Sequence, residues 1–218
     1  MLRSKKFAVL FDMDGTLIDS EPYWMESEQA LAAEHKGKWT TEDGLDVVGM
    51  SLDKSSRLLK ERANIPLEPE EIVDVLTEEV QKKLRKVIPW RPGAKELLQD
   101  LREHGVKTAL VTMSMHRMAQ QVVDAIEFSA FDAIVAGDDV RNGKPHPEAY
   151  QKAAELLGFE PGRCIAFEDS VSGLTSAELA GTIAIGIPHI IPIPEKPGRI
   201  LWPTLAGVNY KQLRKLIK

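Results

Sequence analysis

The sequence predicts an α/β protein, a doubly wound parallel sheet that carries an inserted α-helical cap. Two observations carry that expectation. Short apolar runs alternate with amphipathic stretches from residue 94 onward, the pattern of strand, helix, strand, helix. Between the first such run and the rest, from Asp19 to about Val87, no buried strand appears and the apolar spacing is helical.

The strands are expected at Phe7–Phe11, Thr108–Val111, Ala133–Ala136, Cys164–Phe167 and Thr182–Ile187. Each run is too short for a helix and too uniformly apolar for a strand with one wet face, so all read as buried parallel strands. Helices are expected at Ala94–His104, Met115–Phe128, Pro147–Leu157 and Ser172–Ala180; Gly105, Gly158 and Gly181 supply three of the stops. Residues 211–218 read as an amphipathic tail that packs Leu213, Leu216 and Ile217 on the core.

Within the insertion, Pro22–Glu34, Leu52–Ala63 and Pro69–Lys86 carry the helical pattern. The chain then returns through Ile88-Pro89-Trp90-Arg91-Pro92-Gly93, whose prolines favour a stiff, extended link. The expected division is a core at 1–18 and 89–218 and a cap at 19–88.

Gross properties narrow the function. A chain of 218 residues with 43% apolar side chains can bury a large core, which excludes disorder as the whole answer. A formal net charge of -5 gives no general field for nucleic acid or anionic lipid, so a small-molecule partner is expected. The single cysteine, Cys164, has no internal partner for a disulfide and sits in a strand-like run, where it reads as core. The start, Met1 to Lys6, leads into only five apolar residues, too few for a signal-peptide core. No segment offers the roughly 18 uninterrupted apolar residues of a membrane helix. A cytoplasmic monomer, with no nucleic-acid or membrane partner, is the expectation.

In an open parallel sheet, ligands bind beyond the carboxyl ends of the strands, so the residues after each run test for a site. The first run ends in Asp12-Met13-Asp14-Gly15-Thr16. With a period of two, Asp12 and Asp14 point to the same side, and paired carboxylates repel unless a cation or proton joins them. Gly15 allows the chain to turn sharply away. An EF-hand calcium loop does not fit, because Leu17-Ile18 breaks its ligand pattern.

The second run ends in Thr112-Met113-Ser114, which brings a hydroxyl and free N–H groups near a helix start. After the third comes Gly143-Lys144-Pro145-His146-Pro147, where the prolines restrain a lysine able to act as a point charge for phosphate and for Asp12. The fourth ends in Glu168-Asp169-Ser170, a second acidic pair. Taken singly, these are also helix caps and surface residues. Together at one sheet edge they match a magnesium ion held by carboxylates and phosphate oxygens.

These four segments, in this order, resemble the signatures of the haloacid dehalogenase superfamily, with its Rossmann-like core. The insertion after the first signature is similar to the small helical cap of the β-phosphoglucomutase-like and sugar-phosphate phosphatase branch. The resemblance implies a phosphatase in which Asp12 attacks phosphorus to form an aspartyl phosphate and Asp14 transfers the protons. It also implies that Thr112 and Lys144 bind the transferring group. Mg2+ would be held by the Asp12 carboxylate, the Asp14 backbone carbonyl and Asp169, with Glu168 as acidic support.

The mutase alternative differs at two cap positions. The mutase's histidine and arginine are matched here by Trp24 and Leu52, so water rather than a sugar hydroxyl is expected to accept the phosphoryl group. A non-catalytic binding protein on the same fold would not need intact Asp12, Asp14, Lys144 and Asp169. Substrate choice is expected to lie in Ser20–Trp24 and Asp46–Leu52. Trp39, Trp90 and Trp202 read as packing residues, whereas Tyr23 and Trp24 are the better pocket candidates because they follow the first signature. His35, His104, His116, His146 and His189 show no zinc-ligand spacing.

Overall fold

A computed structural model describes residues 6–217, so the first five residues of the leader reading and Lys218 of the tail lie outside the described residues. Six strands form one parallel sheet: β1 (Ala8–Phe11), β2 (Lys107–Val111), β3 (Ala133–Val135), β4 (Cys164–Glu168), β5 (Ile183–Gly186) and β6 (Ile200–Leu201). Their order across the sheet is β3-β2-β1-β4-β5-β6. The five expected strands are all present, and the two-residue β6 adds an edge too short to register as an apolar run.

Period two sorts the strand side chains onto two faces. Ala8, Leu10, Ala109, Val111, Cys164 and Ala166 pack with Ala149, Tyr150, Ala153, Ala154 and Leu157. Those last five belong to α7 (Glu148–Leu157), and the small strand residues let it approach closely. Val9, Phe11, Leu110, Ile165, Phe167 and Ile185 face the other side. There α5 (Ala94–Glu103), α6 (His116–Asp124) and the tail helix α9 (Tyr210–Leu216) cover them. A further helix beside the sheet, α8 (Val171–Leu179), follows β4.

Between β1 and α5 lie four helices: α1 (Glu21–Glu34), α2 (Thr41–Val47), α3 (Leu52–Ala63) and α4 (Pro69–Lys86). The short α2 has no apolar period of its own and depends on a capping box between Thr40 and Asp43. Helix α6 stops at Asp124, four residues short of the expected Phe128, because the Ile126 N–H turns back to the Val123 carbonyl. That turn brings Ile126 and Phe128 onto the core.

Two strands of chain join the helical block to the sheet. The Asp19 N–H donates to the Pro89 carbonyl and the Arg91 N–H to the Leu17 carbonyl, each at 2.8 Å. Arg91 also donates from its guanidinium to the Gly15 carbonyl, tying the return link to the turn after β1. No helix among the described residues is long and apolar enough to cross a membrane.

Candidate active site

The strand order places the ends of β2, β1 and β4 side by side, at the point where the chain's winding reverses. Asp12 continues β1, and its N–H donates to the Phe167 carbonyl at 3.0 Å. This levels Asp12 with Glu168 and Asp169. All three are nearly inaccessible, at 6%, 1% and 5% exposure. Their carboxylate oxygens lie within 4.8 Å of one another.

Lys144 is the countercharge. Its Nζ lies 2.7 Å from Asp12 Oδ1 and 2.6 Å from Glu168 Oε1, and donates to the Val111 carbonyl at 2.9 Å. Tyr150 donates its hydroxyl to Glu168 Oε1 at 2.6 Å and places its ring 5.3 Å from the ammonium. Burial works against the lysine charge, but Asp12 and then Glu168 outweigh it and hold Lys144 protonated.

One cation does not balance three carboxylates. Burial, then Glu168, push the Asp12 carboxyl up to about 7, against the pull of Lys144. Burial and Asp12 push Asp169 well above the usual carboxylate range. Asp12 Oδ2 is buried without a hydrogen-bond partner. An orphaned oxygen in an all-oxygen, electron-rich cluster is the donor set of a hard divalent cation, so these residues fit magnesium.

Glycines let the cluster close. Gly15 holds φ at +81°, and a Cβ there would overlap the Asp169 carboxylate. A Cβ on Gly173, in the first turn of α8, would overlap the Glu168 carboxylate.

Asp14, on the same cavity floor, has a different set of partners. Its Oδ1 accepts from Ser20 Oγ at 2.6 Å and Trp24 Nε1 at 3.2 Å, and its Oδ2 from Thr112 Oγ1 at 3.1 Å and Ser114 Oγ at 2.7 Å. Thr112 also accepts the Ser114 N–H at 3.0 Å. The two aspartates of the first segment therefore stand in different environments, one in the acidic cluster and one among hydroxyls and an indole.

A cavity runs from these residues up to the helical block. Asp12, Asp14, Thr112, Lys144 and Asp169 line its floor, and Glu21, Trp24, Met25 and Glu28 of α1 face it from above. Apolar residues Val47, Val48, Met50 and Leu52 complete the wall.

The family model for haloacid dehalogenase-like hydrolases matches residues 8–181. The chain belongs to this family. Among its curated haloacid dehalogenase-like relatives, a phosphorylated carbohydrates phosphatase from Thermotoga maritima is 32% identical over 84% of this chain and 85% of that protein. Hexitol phosphatase B of Escherichia coli O157:H7 is 31% identical over 96% and 93%. CbbY from Rhodobacter sphaeroides, solved with phosphate, superposes with a TM-score of 0.84 at 26% identity over 93% of this chain and 96% of that one. A β-phosphoglucomutase from Clostridium difficile shares the fold, with a TM-score of 0.81 at 21% identity over 96% of each chain.

Several expectations shift on this haloacid dehalogenase-like framework. Tyr23 leaves the site and donates its hydroxyl to the Val87 carbonyl at 3.3 Å. Asp46 pairs with Arg62 at 3.0 Å, at the surface and off the cavity wall. Trp39 does more than pack, because its Nε1 donates to Glu28 Oε2 at 3.0 Å. Ser114 and Glu21 lie inside candidate-site segments of the sequence without a role of their own, Arg91 reads only as part of the link, and Glu28 and Tyr150 lie outside all of these segments. For the two glutamates a signal existed: Glu21, Trp24, Met25 and Glu28 recur at spacings of three, one and three, which is one face of a helix.

Proposed function

We propose that this chain is a magnesium-dependent phosphatase of phosphorylated carbohydrates, working through an aspartyl phosphate on Asp12. The observation that carries it is Asp12 itself, with one oxygen held by Lys144 and the other buried and free beside Asp169. The family membership and the named phosphatase relatives support the same reading.

Asp12, Asp169 and the Asp14 backbone carbonyl would hold Mg2+, with Glu168 supporting from beneath. Bound there, the ion would neutralise charge on the phosphoryl oxygens. The Asp12 carboxylate is the nucleophile toward phosphorus, and Lys144 keeps it oriented while pairing with the transferring group. The Asp14 carboxyl protonates the leaving oxygen and then takes a proton from the attacking water, contributing about 10² to 10⁴ in rate. Ser114 orients Asp14 through its hydroxyl, and Thr112 would turn its single O–H from Asp14 to the phosphate when substrate binds. The helices at 19–88 form a cap over the site that excludes bulk water when substrate is bound.

Trp24 and Leu52, where a mutase would carry histidine and arginine, put no cation at those two cap positions, which favours water as acceptor. Phosphate release from sugar phosphates and p-nitrophenyl phosphate, with and without magnesium and beside Asp12→Asn, tests the reading. Magnesium-independent release, or release surviving Asp12→Asn, would overturn it.

A further inference from the structure

The cavity above Asp12 has a one-sided charge distribution. Its acidic lining residues are Asp12, Asp14, Asp169, Glu21 and Glu28; its only basic one is Lys144. The Lys144 ammonium is committed to Asp12, Glu168 and the Val111 carbonyl. Toward the helical block no residue lining this cavity carries a positive charge; Lys54 lines an adjoining pocket and not this one.

Glu28 is only 6% exposed, yet it lines this cavity. Trp39 donates to Oε2, and no hydrogen bond to Oε1 occurs among the described residues. Glu21, two turns earlier on the same helical face, lines the same cavity and has no side-chain hydrogen bond among the described residues. A buried carboxyl held on one oxygen by an indole N–H and open on the other is built to pair with a hydroxyl. Apolar Met25, Val47 and Leu52 alongside would take the C–H faces of a carbon chain.

We infer that the Glu28–Trp39 pair reads a hydroxyl of an uncharged, polyhydroxylated leaving group, and that Glu21 and Glu28 together reject substrates carrying a second anionic group. This rests on the phosphatase reading and narrows it to sugar and polyol monophosphates, against bisphosphates and phosphorylated sugar acids. Burial raises Glu28 to about 7 and Glu21 to about 8, so near neutrality each can donate or accept a hydroxyl hydrogen bond. Neither form offers a positive charge to a second phosphate.

The test uses substrates matched except for charge, with the magnesium-loaded full chain. Fructose 6-phosphate should exceed fructose 1,6-bisphosphate in kcat/KM by about a hundredfold or more, on the scale by which hydrogen-bonding sites reject a mismatched group. Glu28→Leu should lower kcat/KM for fructose 6-phosphate about tenfold to a hundredfold while p-nitrophenyl phosphate, which has no hydroxyl to read, stays within about twofold. Glu21→Lys, at a part-exposed position, should raise the relative rate on the bisphosphate at least about tenfold, which a purely structural role would not do. Equal use of the two fructose phosphates overturns the inference, as does an equal loss on both substrates in Glu28→Leu or no gain in Glu21→Lys. If no compound is hydrolysed, the phosphatase reading fails, and calorimetric binding of the two fructose phosphates still decides: tighter monophosphate binding supports the inference, and equal or weaker binding sinks it.

Discussion

Trp24 Nε1 donates to Asp14 Oδ1 across the junction between α1 and the end of β1, at 3.2 Å. The indole thus stands in the hydrogen-bond shell of the residue proposed to move protons, at the position matched to a mutase histidine. Trp24→Phe keeps the buried ring and removes the donor. About tenfold lower kcat is expected, from loss of one hydrogen bond to a charged group, with KM for p-nitrophenyl phosphate little changed. Steady-state kinetics on the two proteins decide this, and an unchanged kcat would separate Trp24 from the proton path.

Magnesium should stabilise the fold through the acidic cluster. A ligand bound only by the folded state adds RT ln(1 + [L]/Kd), about 2.7 kcal/mol when present at a hundred times its Kd. The wild-type Tm should therefore climb with magnesium concentration and drop on chelation. Asp169→Asn removes one of the three clustered carboxylates and should flatten that climb while leaving the metal-free Tm equal or higher, since it relieves like-charge repulsion. Thermal melts in chelator and in graded magnesium measure both effects.

Lys144 is 6% exposed and is the only cation paired with Asp12 and Glu168 among the described residues. Lys144→Met leaves two buried carboxylates without their partner, and breaking such a pair costs about 3 to 5 kcal/mol. Urea unfolding in the absence of magnesium should show that loss, together with no measurable phosphate release. Magnesium should recover part of the stability and none of the turnover.

Glu28 gives a pH signature separate from chemistry. Burial is the largest cause that raises its carboxyl from an ordinary 4.5 to about 7. Between those values the folded chain keeps a proton that the unfolded chain has lost, so stability falls as pH rises through that window. Glu28→Gln cannot ionise and still offers an oxygen to Trp39. Relative to wild type it should gain about 3 kcal/mol on going from pH 4 to pH 8. Urea midpoints at the two pH values test it, and parallel curves would place the ionised carboxylate in a wetter setting than its 6% exposure implies.

Much of this architecture was legible in the chain. Uniformly apolar runs such as Ala8–Phe11 leave no wet face, which forces helices onto both sides of the sheet and explains why β1 to β5 could be located. The acidic and hydroxyl residues that follow those runs were visible because strands present them at a fixed edge. Where no period exists the reading failed: α2 depends on one capping box, and β6 on two residues paired to β5.

Sequence by itself determined which residue types meet at the sheet edge, because the strand ends and the period of two are local properties. Only the tertiary structure decided what each one faces. Asp12 and Asp14 are two residues apart, yet one enters an acidic cluster with Lys144 and the other a shell of Ser20, Trp24, Thr112 and Ser114. The helices of residues 19–88 return the chain to the strand ends, and that return sets Trp39 behind Glu28 and Glu28 on the cavity wall. Contacts separated by tens of residues depend on how helices pack, and packing follows from shape and burial that no local pattern records.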